Sequence, residues 1–278
     1  RVAESVKDLK DAYDSASAEA IANFGDGRLY MEKYIHNPRH IEVQILGDNY
    51  GNVVHLFERE CSVQRRHQKL IEECPSAFVT PELREKMTSA AVALAKRVGY
   101  RSAGTIEFLV DNDRNFYFCE MNTRIQVENG VSARISKVKG QGDVDIIAEQ
   151  IRIGLGEPLG YTQEDITFEG VGIEYRLIAE DPDNRFTPWV GRIDACGWPS
   201  HPWLKMHTHV PTDESYEIPT EFDPNLALAI IWGENLEQAK ERGMQFLDEL
   251  TLQGENQSGE LKSNVNFLRA NTGRILRF

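Results

Sequence analysis

Polar side chains occupy every second position of one short segment, at Glu120, Asn122, Arg124, Gln126 and Glu128. Alternate residues of an extended chain face the same side, so these groups would line one face over about 26 Å. Oxygens at one end suit a metal ion, the guanidinium suits an anion, and the last carboxylate suits a proton acceptor. A plain amphipathic edge strand is the alternative, but its polar face usually carries Lys, Glu, Thr and Ser.

A second carboxylate belongs beside this row. The runs GTIEFLV and FYFCEMN, separated by the turn-rich DNDRN, predict a β-hairpin. If residues 110 and 117 pair across the turn, Glu107 lies opposite Glu120, and Asn122 lies nearby on the same face. Two carboxylates and an amide suit Mg²⁺, which completes its shell with water and nucleotide phosphates. A slip of one residue would instead leave two exposed acids on opposite faces.

The run QRRHQK at residues 64–69 is unusually basic for this chain. An extended backbone would set Arg65, His67 and Lys69 on one side, which favours binding of phosphate or bicarbonate. Several acids flank the run, so ion pairing within the protein is the alternative interpretation.

Periodicity outlines the elements that must position these groups. Apolar spacing predicts helices over residues 2–24, 81–98 and 144–155. Alternation predicts extended segments over residues 28–35, 40–46 and 53–73. After residue 157 the pattern changes to short strand-like runs separated by Pro, Gly and Asp, followed by two helices. We therefore expect an α+β protein with one region over residues 1–157 and a second, built on an antiparallel sheet, over residues 158–278.

Composition excludes several classes of protein. Acidic residues number 44 against 31 basic ones, and the net charge of -13 would repel a nucleic-acid backbone. No apolar run reaches the roughly 18 residues that cross a bilayer, so we expect neither a nucleic-acid nor a membrane partner. The four cysteines form no CxxC pair, which favours reduced thiols in the cytoplasm or an organelle matrix.

Longer segments of the chain resemble one family. In order, they are YMEKYIHNPRHIEVQILGD, ERECSVQRRHQK, GTIEFL, EMNTRIQVE and EQIRIGLGEPL. They resemble the biotin carboxylase components of acetyl-CoA, propionyl-CoA, other acyl-CoA and pyruvate carboxylases, and YRLIAEDPDNRFTPWVGRI extends the match into that family's C-terminal domain. The resemblance implies an ATP-grasp fold followed by a C-terminal antiparallel-sheet biotin carboxylase domain.

The resemblance also implies ligands for ATP and a metal ion. The positions that match adenine contacts are Glu32, Lys33 and Ile35, with Leu109 packed on the base. The positions that match ribose or phosphate contacts are His40, Gln64 and His67. The positions that match ligands of Mg²⁺ or Mn²⁺ are Glu107, Glu120 and Asn122.

The remaining matches concern bicarbonate and proton transfer. The positions that match the bicarbonate pocket are Lys69, Arg124, Gln126 and the backbone of Val127. Glu128 matches the general base, and Lys205 aligns with the arginine expected to stabilise the biotin enolate. A lysine cannot reproduce the bidentate fork of an arginine.

The reaction implied by the resemblance is the first half-reaction of a biotin-dependent carboxylase. ATP and bicarbonate would give carboxyphosphate, which carboxylates biotin on a carrier protein. The implied partners are a biotin carboxyl carrier domain and a carboxyltransferase component, and the implied assembly is a homodimer or larger complex. The implied compartment is the cytoplasm, or a mitochondrial or plastid matrix in a eukaryote.

The sequence departs from the family pattern at several points. The glycine-rich lid and its lysines would lie upstream of Arg1, and the family's usual His-Pro-Val-Thr-Glu after Glu128 is replaced by Asn129-Gly-Val-Ser132 and several additional residues. The family's Tyr-Asp-Ser-Met-Ile-Gly-Lys resembles residues 222–228, which lack the lysine. These departures leave two alternatives, a non-catalytic structural carboxylase subunit and another ATP-grasp ligase such as a carbamoyl-phosphate synthetase.

Overall fold

The computed structural model describes residues 1–140 and 142–273. The helices are α1 (Val6–Phe24), α2 (Pro81–Arg97), α3 (Asn129–Ile135), α4 (Ile146–Gly154), α5 (Leu236–Glu249) and α6 (Val265–Thr272). The first eight strands are β1 (Arg39–Gly47), β2 (Val53–Arg65), β3 (Gln68–Cys74), β4 (Ser102–Val110), β5 (Phe116–Asn122), β6 (Ser136–Val138), β7 (Ile166–Phe168) and β8 (Val171–Ile178). The others are β9 (Glu180–Asp181), β10 (Thr187–Pro188), β11 (Arg192–Gly197), β12 (Leu204–Thr208), β13 (Tyr216–Glu217), β14 (Asn225–Gly233), β15 (Thr251–Asn256) and β16 (Gly259–Glu260).

The first 38 residues form a compact unit of their own. Its helix α1 ends where Gly25 adopts a left-handed conformation with φ of 72° and donates its N–H to the Ile21 carbonyl at 2.9 Å. The predicted first helix is therefore confirmed. The strand predicted over residues 28–35 is wrong, because the described residues there pair with no neighbouring strand.

An eight-stranded antiparallel sheet organises the second unit, in the order β12-β14-β8-β3-β2-β1-β4-β5. Alternation within the strands gives this sheet one apolar and one polar face. Helix α2 covers the apolar face over β1 and β4, and α5 and α6 cover it over β8 and β14. The opposite, polar face carries the residues that we predicted to do chemistry.

Helix α2 confirms the start signal in the sequence. Pro81 occupies the first turn, and the Thr80 hydroxyl accepts the Leu83 N–H at 3.2 Å. Leu83 and Met87 pack against Ile41 of β1 and its neighbours. The buried apolar layer fixes β1 so that the alternate residues of the strand face the opposite side of the sheet.

The hairpin of β4 and β5 brings Glu107 opposite Glu120, as predicted, but the strand register near the turn differs from the predicted one. The predicted pairing of residues 110 and 117 is wrong, because Val110 pairs with Phe116. A β-bulge at Cys119 then shifts the register by one residue and restores the alignment of the two acids.

The basic run is a second hairpin, so its predicted extended form is wrong. Arg66 and His67 both have positive φ, 51° and 66°, and form the two-residue turn between β2 and β3. Arg65 then pairs with Gln68 across the turn. Arg65 and His67 therefore do not share one face with Lys69, which lies opposite Gln64.

Strands from both sides of the predicted boundary at residues 157 and 158 share the large sheet, where β3 pairs with β8. The boundary stays a prediction. A separate four-stranded sheet, β13-β11-β15-β16, and the antiparallel strands β12 and β14 confirm the sheet-rich second half. The additional residues after Glu128 contribute β6, which pairs with β7, and residue 141 of that stretch lies outside the described residues. Within the described residues, no helix has the length and apolar character to cross a membrane.

Candidate active site

Three strands bring a row of charged residues together on the polar face of the sheet. Glu42 of β1 lies opposite Arg59 of β2 on one side and opposite Glu107 of β4 on the other. Two carboxylates in direct cross-strand positions repel each other unless a cation lies between them. His40 supplies one, with Nε2 at 2.7 Å from Glu107 Oε2 and 3.1 Å from Glu42 Oε1.

The charge on His40 follows from these contacts. Burial acts to lower the pKa of His40, but the Glu107 and Glu42 carboxylates raise it to about 9. The imidazole is therefore protonated at neutral pH. Its Nδ1 lies 3.1 Å from Gln64 Nε2, which connects two of the predicted nucleotide contacts.

Arg59, which the sequence analysis did not single out, forms the buried centre of the site. Its side chain is fully buried and donates to Glu42 Oε2 at 2.9 Å and to Gln126 Oε1 at 2.6 Å. Three further donors reach Gln44, Ser132 and Thr105 at 2.8, 3.2 and 3.0 Å. Such complete hydrogen bonding is what allows a guanidinium to be buried.

Lys69 confirms the ion-pair interpretation of the basic run. Its Nζ contacts Glu42 Oε1, lies 2.6 Å from Glu128 Oε1 and lies 3.5 Å from Glu107 Oε1. Burial acts to lower the pKa of Lys69, but the surrounding anionic groups, Glu42 and Glu128 among them, raise it above its ordinary value. Lys69 thus places a permanent positive charge between three acids.

The predicted metal ligands lie together at the edge of the site. Asn122 Nδ2 donates to Glu107 Oε1 at 2.7 Å and to Glu120 Oε1 at 3.3 Å. Glu107 is nearly buried, whereas Glu120 is exposed. One shielded and one open carboxylate fit a Mg²⁺ ion that keeps water and phosphate oxygens in its shell. The Asn122 amide directs its nitrogen toward these carboxylates and its oxygen toward Arg124, so its oxygen would have to turn to join that shell.

The alternating row does not continue as a strand beyond Asn122, so the extended ribbon predicted to Glu128 is wrong in its second half. The chain leaves the sheet and turns into α3, where Glu128 occupies the N-cap position. The row still belongs to one site. Arg124 Nη2 donates to Asn122 Oδ1 at 3.3 Å, and Gln126 Nε2 donates to Glu107 Oε1 at 2.9 Å.

Exposure differs along this segment. Gln126 and Glu128 are buried at 5% and 3% exposure, whereas Arg124 and Val127 face solvent. Described residues use two donors of the Arg124 guanidinium, at Ile125 O and Asn122 Oδ1, out of the five that arginine carries. Gln126 is bonded on both sides by protein groups, and one N–H of its amide is left.

The acid at the far end, Glu128, lies between two cations. Lys69 contacts its Oε1, and Arg176 Nη2 donates to its Oε2 at 2.9 Å. Sequence reasoning missed Arg176 as a neighbour of Glu128. The signal was present in IEYRL of β8, where Glu174 and Arg176 alternate with buried apolar residues.

Lys205 lies elsewhere on the sheet. It is exposed on the edge strand β12, where it pairs with Ile230 of β14, and Ile230 pairs with Glu174 of β8. Two strand spacings, about 10 Å, therefore separate its backbone from that of β8. Lys205 therefore lies apart from the cluster around Glu128, and its role toward the biotin enolate stays a prediction.

The other predicted nucleotide contacts occupy different surroundings. Leu109 is half-buried on β4, opposite His40, and His67 is exposed in the turn after β2. Glu32 and Lys33 are exposed and Ile35 is half-buried in the first unit.

Comparisons with known families agree with this geometry. The family described as carbamoyl-phosphate synthase L chain, ATP binding domain, matches residues 1–162, and the biotin carboxylase C-terminal domain matches residues 174–272. Biotin carboxylase 2, chloroplastic, of Populus trichocarpa is 47% identical over 254 residues, which are 91% of this chain and 47% of that protein. The chain thus spans about half the length of this relative.

Two solved structures share the fold. The biotin carboxylase domain of thermophilic 2-oxoglutarate carboxylase bound to bicarbonate is 43% identical with a TM-score of 0.89, covering 98% of this chain and 58% of that one. The Hydrogenobacter thermophilus 2-oxoglutarate carboxylase domain dimer, in complex with MgADP, ADP and bicarbonate, is 44% identical with a TM-score of 0.84, covering 96% and 56%. Because the ATP-binding family matches more than half of the chain and the C-terminal domain most of the rest, the chain belongs to the ATP-grasp biotin carboxylase family.

Proposed function

We propose that this chain provides the catalytic face of a biotin carboxylase, which uses ATP and bicarbonate to carboxylate biotin on a carrier protein through carboxyphosphate. The observation that carries the proposal is the position of Glu128, a buried carboxylate held between Lys69 and Arg176. Two fixed cations orient this carboxylate. It can therefore accept a proton from bicarbonate.

The metal ligands in this proposal are Glu107 and Glu120, with Asn122 between them. A bound Mg²⁺ would supply positive charge to the phosphate oxygens of ATP during phosphoryl transfer. The protein's own part is to hold these groups on β4 and β5, where His40 and Gln126 fix the Glu107 carboxylate from two sides. Mn²⁺ suits the same oxygen ligands.

Bicarbonate would bind next to these ligands. Arg124 is exposed with donors to spare, Lys69 carries a positive charge, and Gln126 and the Val127 backbone offer N–H groups. An anion at this position would lie within reach of Glu128. The H. thermophilus domain has been solved with MgADP and bicarbonate, which supports the same substrate pair for this chain.

The proposed nucleotide contacts are those that the family resemblance implies. We propose that Glu32, Lys33, Ile35 and Leu109 contact the adenine and that His40, Gln64 and His67 contact ribose or phosphates.

We also propose a boundary at residue 157 between the ATP-grasp region and the C-terminal domain. A biotin carboxyl carrier domain, a carboxyltransferase component and a second copy of the chain complete the proposed assembly, in the cytoplasm or in a mitochondrial or plastid matrix.

The test uses the full-length protein that contains this chain. We expect ATP hydrolysis that depends on bicarbonate, and carboxylation of added biotin. Glu128→Gln keeps the size of the side chain but removes the proton acceptor, so it should lower kcat by about 10²- to 10⁴-fold. Glu214→Gln, which changes the same charge at an exposed position, is the matched control.

Two results would contradict the proposal. ATP binding without any bicarbonate-dependent turnover would indicate the structural subunit. Biotin-independent transfer to ammonia would indicate a carbamoyl-phosphate synthetase type of ligase.

A further inference from the structure

Two fully buried acids, Glu72 of β3 and Glu174 of β8, lie directly opposite each other in the sheet. Side chains in such positions have Cβ atoms about 4.5–5.5 Å apart, so the two carboxyl groups meet. Neither residue was singled out from the sequence, and neither has a part in the reaction proposed above. The next residue along the polar face of β8 is Arg176.

Hydrogen bonding around the pair is incomplete in a specific way. Arg176 Nε donates to Glu72 Oε1 at 2.7 Å. Glu72 Oε2 and both oxygens of Glu174 are buried and meet no donor among the described residues. A buried oxygen without a donor is costly, and two full negative charges in opposite positions repel each other. A proton on Glu174, donated toward Glu72 Oε2, removes the repulsion and leaves one Glu174 oxygen without a donor among the described residues.

Four charged groups act most strongly on Glu174. They are Glu72 of β3, Arg176 of β8, Arg59 of β2 and Glu128 at the start of α3. Both guanidinium groups are already bonded to other acids. Burial raises the pKa of Glu174 well above its ordinary value, and Glu72 acts in the same direction. Burial also raises the pKa of Glu72 to about 7, although Arg176 opposes this.

Packing keeps water away from the pair. A Cβ at Gly130 would lie 3.3 Å from Glu174 Oε2 and 2.4 Å from Ile230 Cδ1, so the first turn of α3 and the Ile230 side chain cover this carboxyl group. The Glu174 carboxyl group is therefore shielded from solvent.

We propose that Glu72 and Glu174 share one proton and act together as positioning residues that hold the Arg176 guanidinium against Glu128. This inference rests on the function proposed above. The single negative charge of the pair anchors Arg176 through Nε, and Nη2 then reaches Glu128. A doubly charged pair would compete with Glu128 for the guanidinium, and an uncharged pair would release it.

The shared proton can be observed without turnover. Infrared spectra of the full-length protein should show the C=O stretch of a protonated carboxyl group at neutral pH. Glu73→Gln serves as the background, because the raised pKa of Glu73 gives this residue a band of its own. In that background the remaining band should persist on adding Glu72→Gln and disappear on adding Glu174→Gln. A background spectrum without the band, or a band that Glu174→Gln leaves unchanged, overturns the shared proton.

Positioning is tested by two variants with the same change of charge. Glu174→Gln keeps a neutral donor toward Glu72, so kcat should stay within about twofold of wild type. Glu72→Gln removes the anchor of Arg176, so kcat should fall on the order of 10²-fold while the KM for ATP stays unchanged. Glu72→Asp should restore part of the loss, and Glu260→Gln, exposed on β16, is the surface control. Equal losses in Glu72→Gln and Glu174→Gln would refute the positioning role.

A crystal structure separates this inference from the proposed function. In Glu72→Gln, Arg176 should move away from Glu128 whether or not the protein turns over bicarbonate. If Arg176 keeps its contact with Glu128, the positioning role is wrong even in an active enzyme. If it moves in a protein that lacks bicarbonate-dependent activity, only the proposed function fails.

Discussion

The two ends of the polar face differ in how their charges are satisfied. At the inner end, Arg59, Glu42 and Gln126 are buried and bonded to one another. At the outer end, Glu120 and Arg124 are exposed and have fewer contacts with described residues. Hydrogen bonds within the protein hold the inner end together, whereas the outer end has donors and acceptors left for other molecules.

The buried residues therefore stabilise the site, whereas the exposed residues can bind ligands. A buried guanidinium with five hydrogen bonds fixes the strands that carry it, since any displacement leaves buried polar atoms without partners. Displacement of an exposed guanidinium, in contrast, costs little stability, because solvent replaces its protein contacts. Substitutions at the inner end should therefore change stability, and those at the outer end should change ligand binding.

The largest effect that we expect comes from Arg59→Met. Removal of the guanidinium leaves Glu42, Gln44 and Gln126 without a shared donor, so the free energy of unfolding should fall by about 3–5 kcal/mol. Arg124→Met is the matched control and should stay within about 0.5 kcal/mol of wild type. Chemical denaturation of the two variants measures the difference. Similar losses in both would abolish the distinction between the two ends.

The next largest effect is expected from substitution of Arg176 on β8, compared with Lys205 on β12. Arg176→Gln should lower kcat on the order of 10²-fold, because Glu128 loses one of its two oriented cations. Lys205→Gln removes the same charge from the edge strand β12, two strands away from β8 in the sheet, and should leave kcat within about twofold of wild type. Steady-state measurements of bicarbonate-dependent ATP hydrolysis decide between them. A larger loss in Lys205→Gln would contradict the role of Arg176 beside Glu128.

Much of the framework could be predicted from the sequence, because it depends on local patterns. Alternation of Ile41 and Val43 with His40 and Glu42 gave β1 and its two faces, and Thr80 with Pro81 marked the start of α2. Turns of the backbone were harder to predict from the sequence. Arg66 and His67 form a turn without glycine or asparagine, so nothing in their types announces a positive φ.

Residue patterns alone predicted the site only where residues lie close along the chain, and the grouping of Lys69 with Arg124 and Gln126 came from the family resemblance. Glu107 and Glu120 belong to one hairpin, so their proximity followed from the turn, although the bulge at Cys119 did not. The contact of Arg176 with Glu128 spans 48 residues and depends on β8 joining β3 in the sheet. Sequence periodicity gives no information on which distant strands become neighbours.

A smaller effect is expected at the outer end, in Glu120→Gln. The carboxylate is exposed and is one of two that face the proposed metal ion, so the apparent Kd for Mn²⁺ should rise on the order of tenfold. The free energy of unfolding should not change measurably, because the side chain is open to solvent. Metal titration and denaturation of the same variant give both values. A loss of stability without a change in Kd would assign Glu120 to the framework instead.

The smallest effect tests whether a buried acid stays ionised only beside a cation. Glu73 lies opposite Glu60 on the helix-covered face, and burial together with Glu60 raises its pKa from 4.5 to about 8. Below about pH 4.5 both folded and unfolded chains hold the proton. At higher pH the unfolded chain releases it first, so stability should fall as pH rises toward about 8. Glu73→Gln removes this dependence, and its free energy of unfolding relative to wild type should increase by about 1 kcal/mol per pH unit near neutrality. Denaturation curves that stay parallel from about pH 6 to about pH 7 would mean that Glu73 is ionised without a cation, and the contrast with Glu42 beside Arg59 and Lys69 would lose its physical basis.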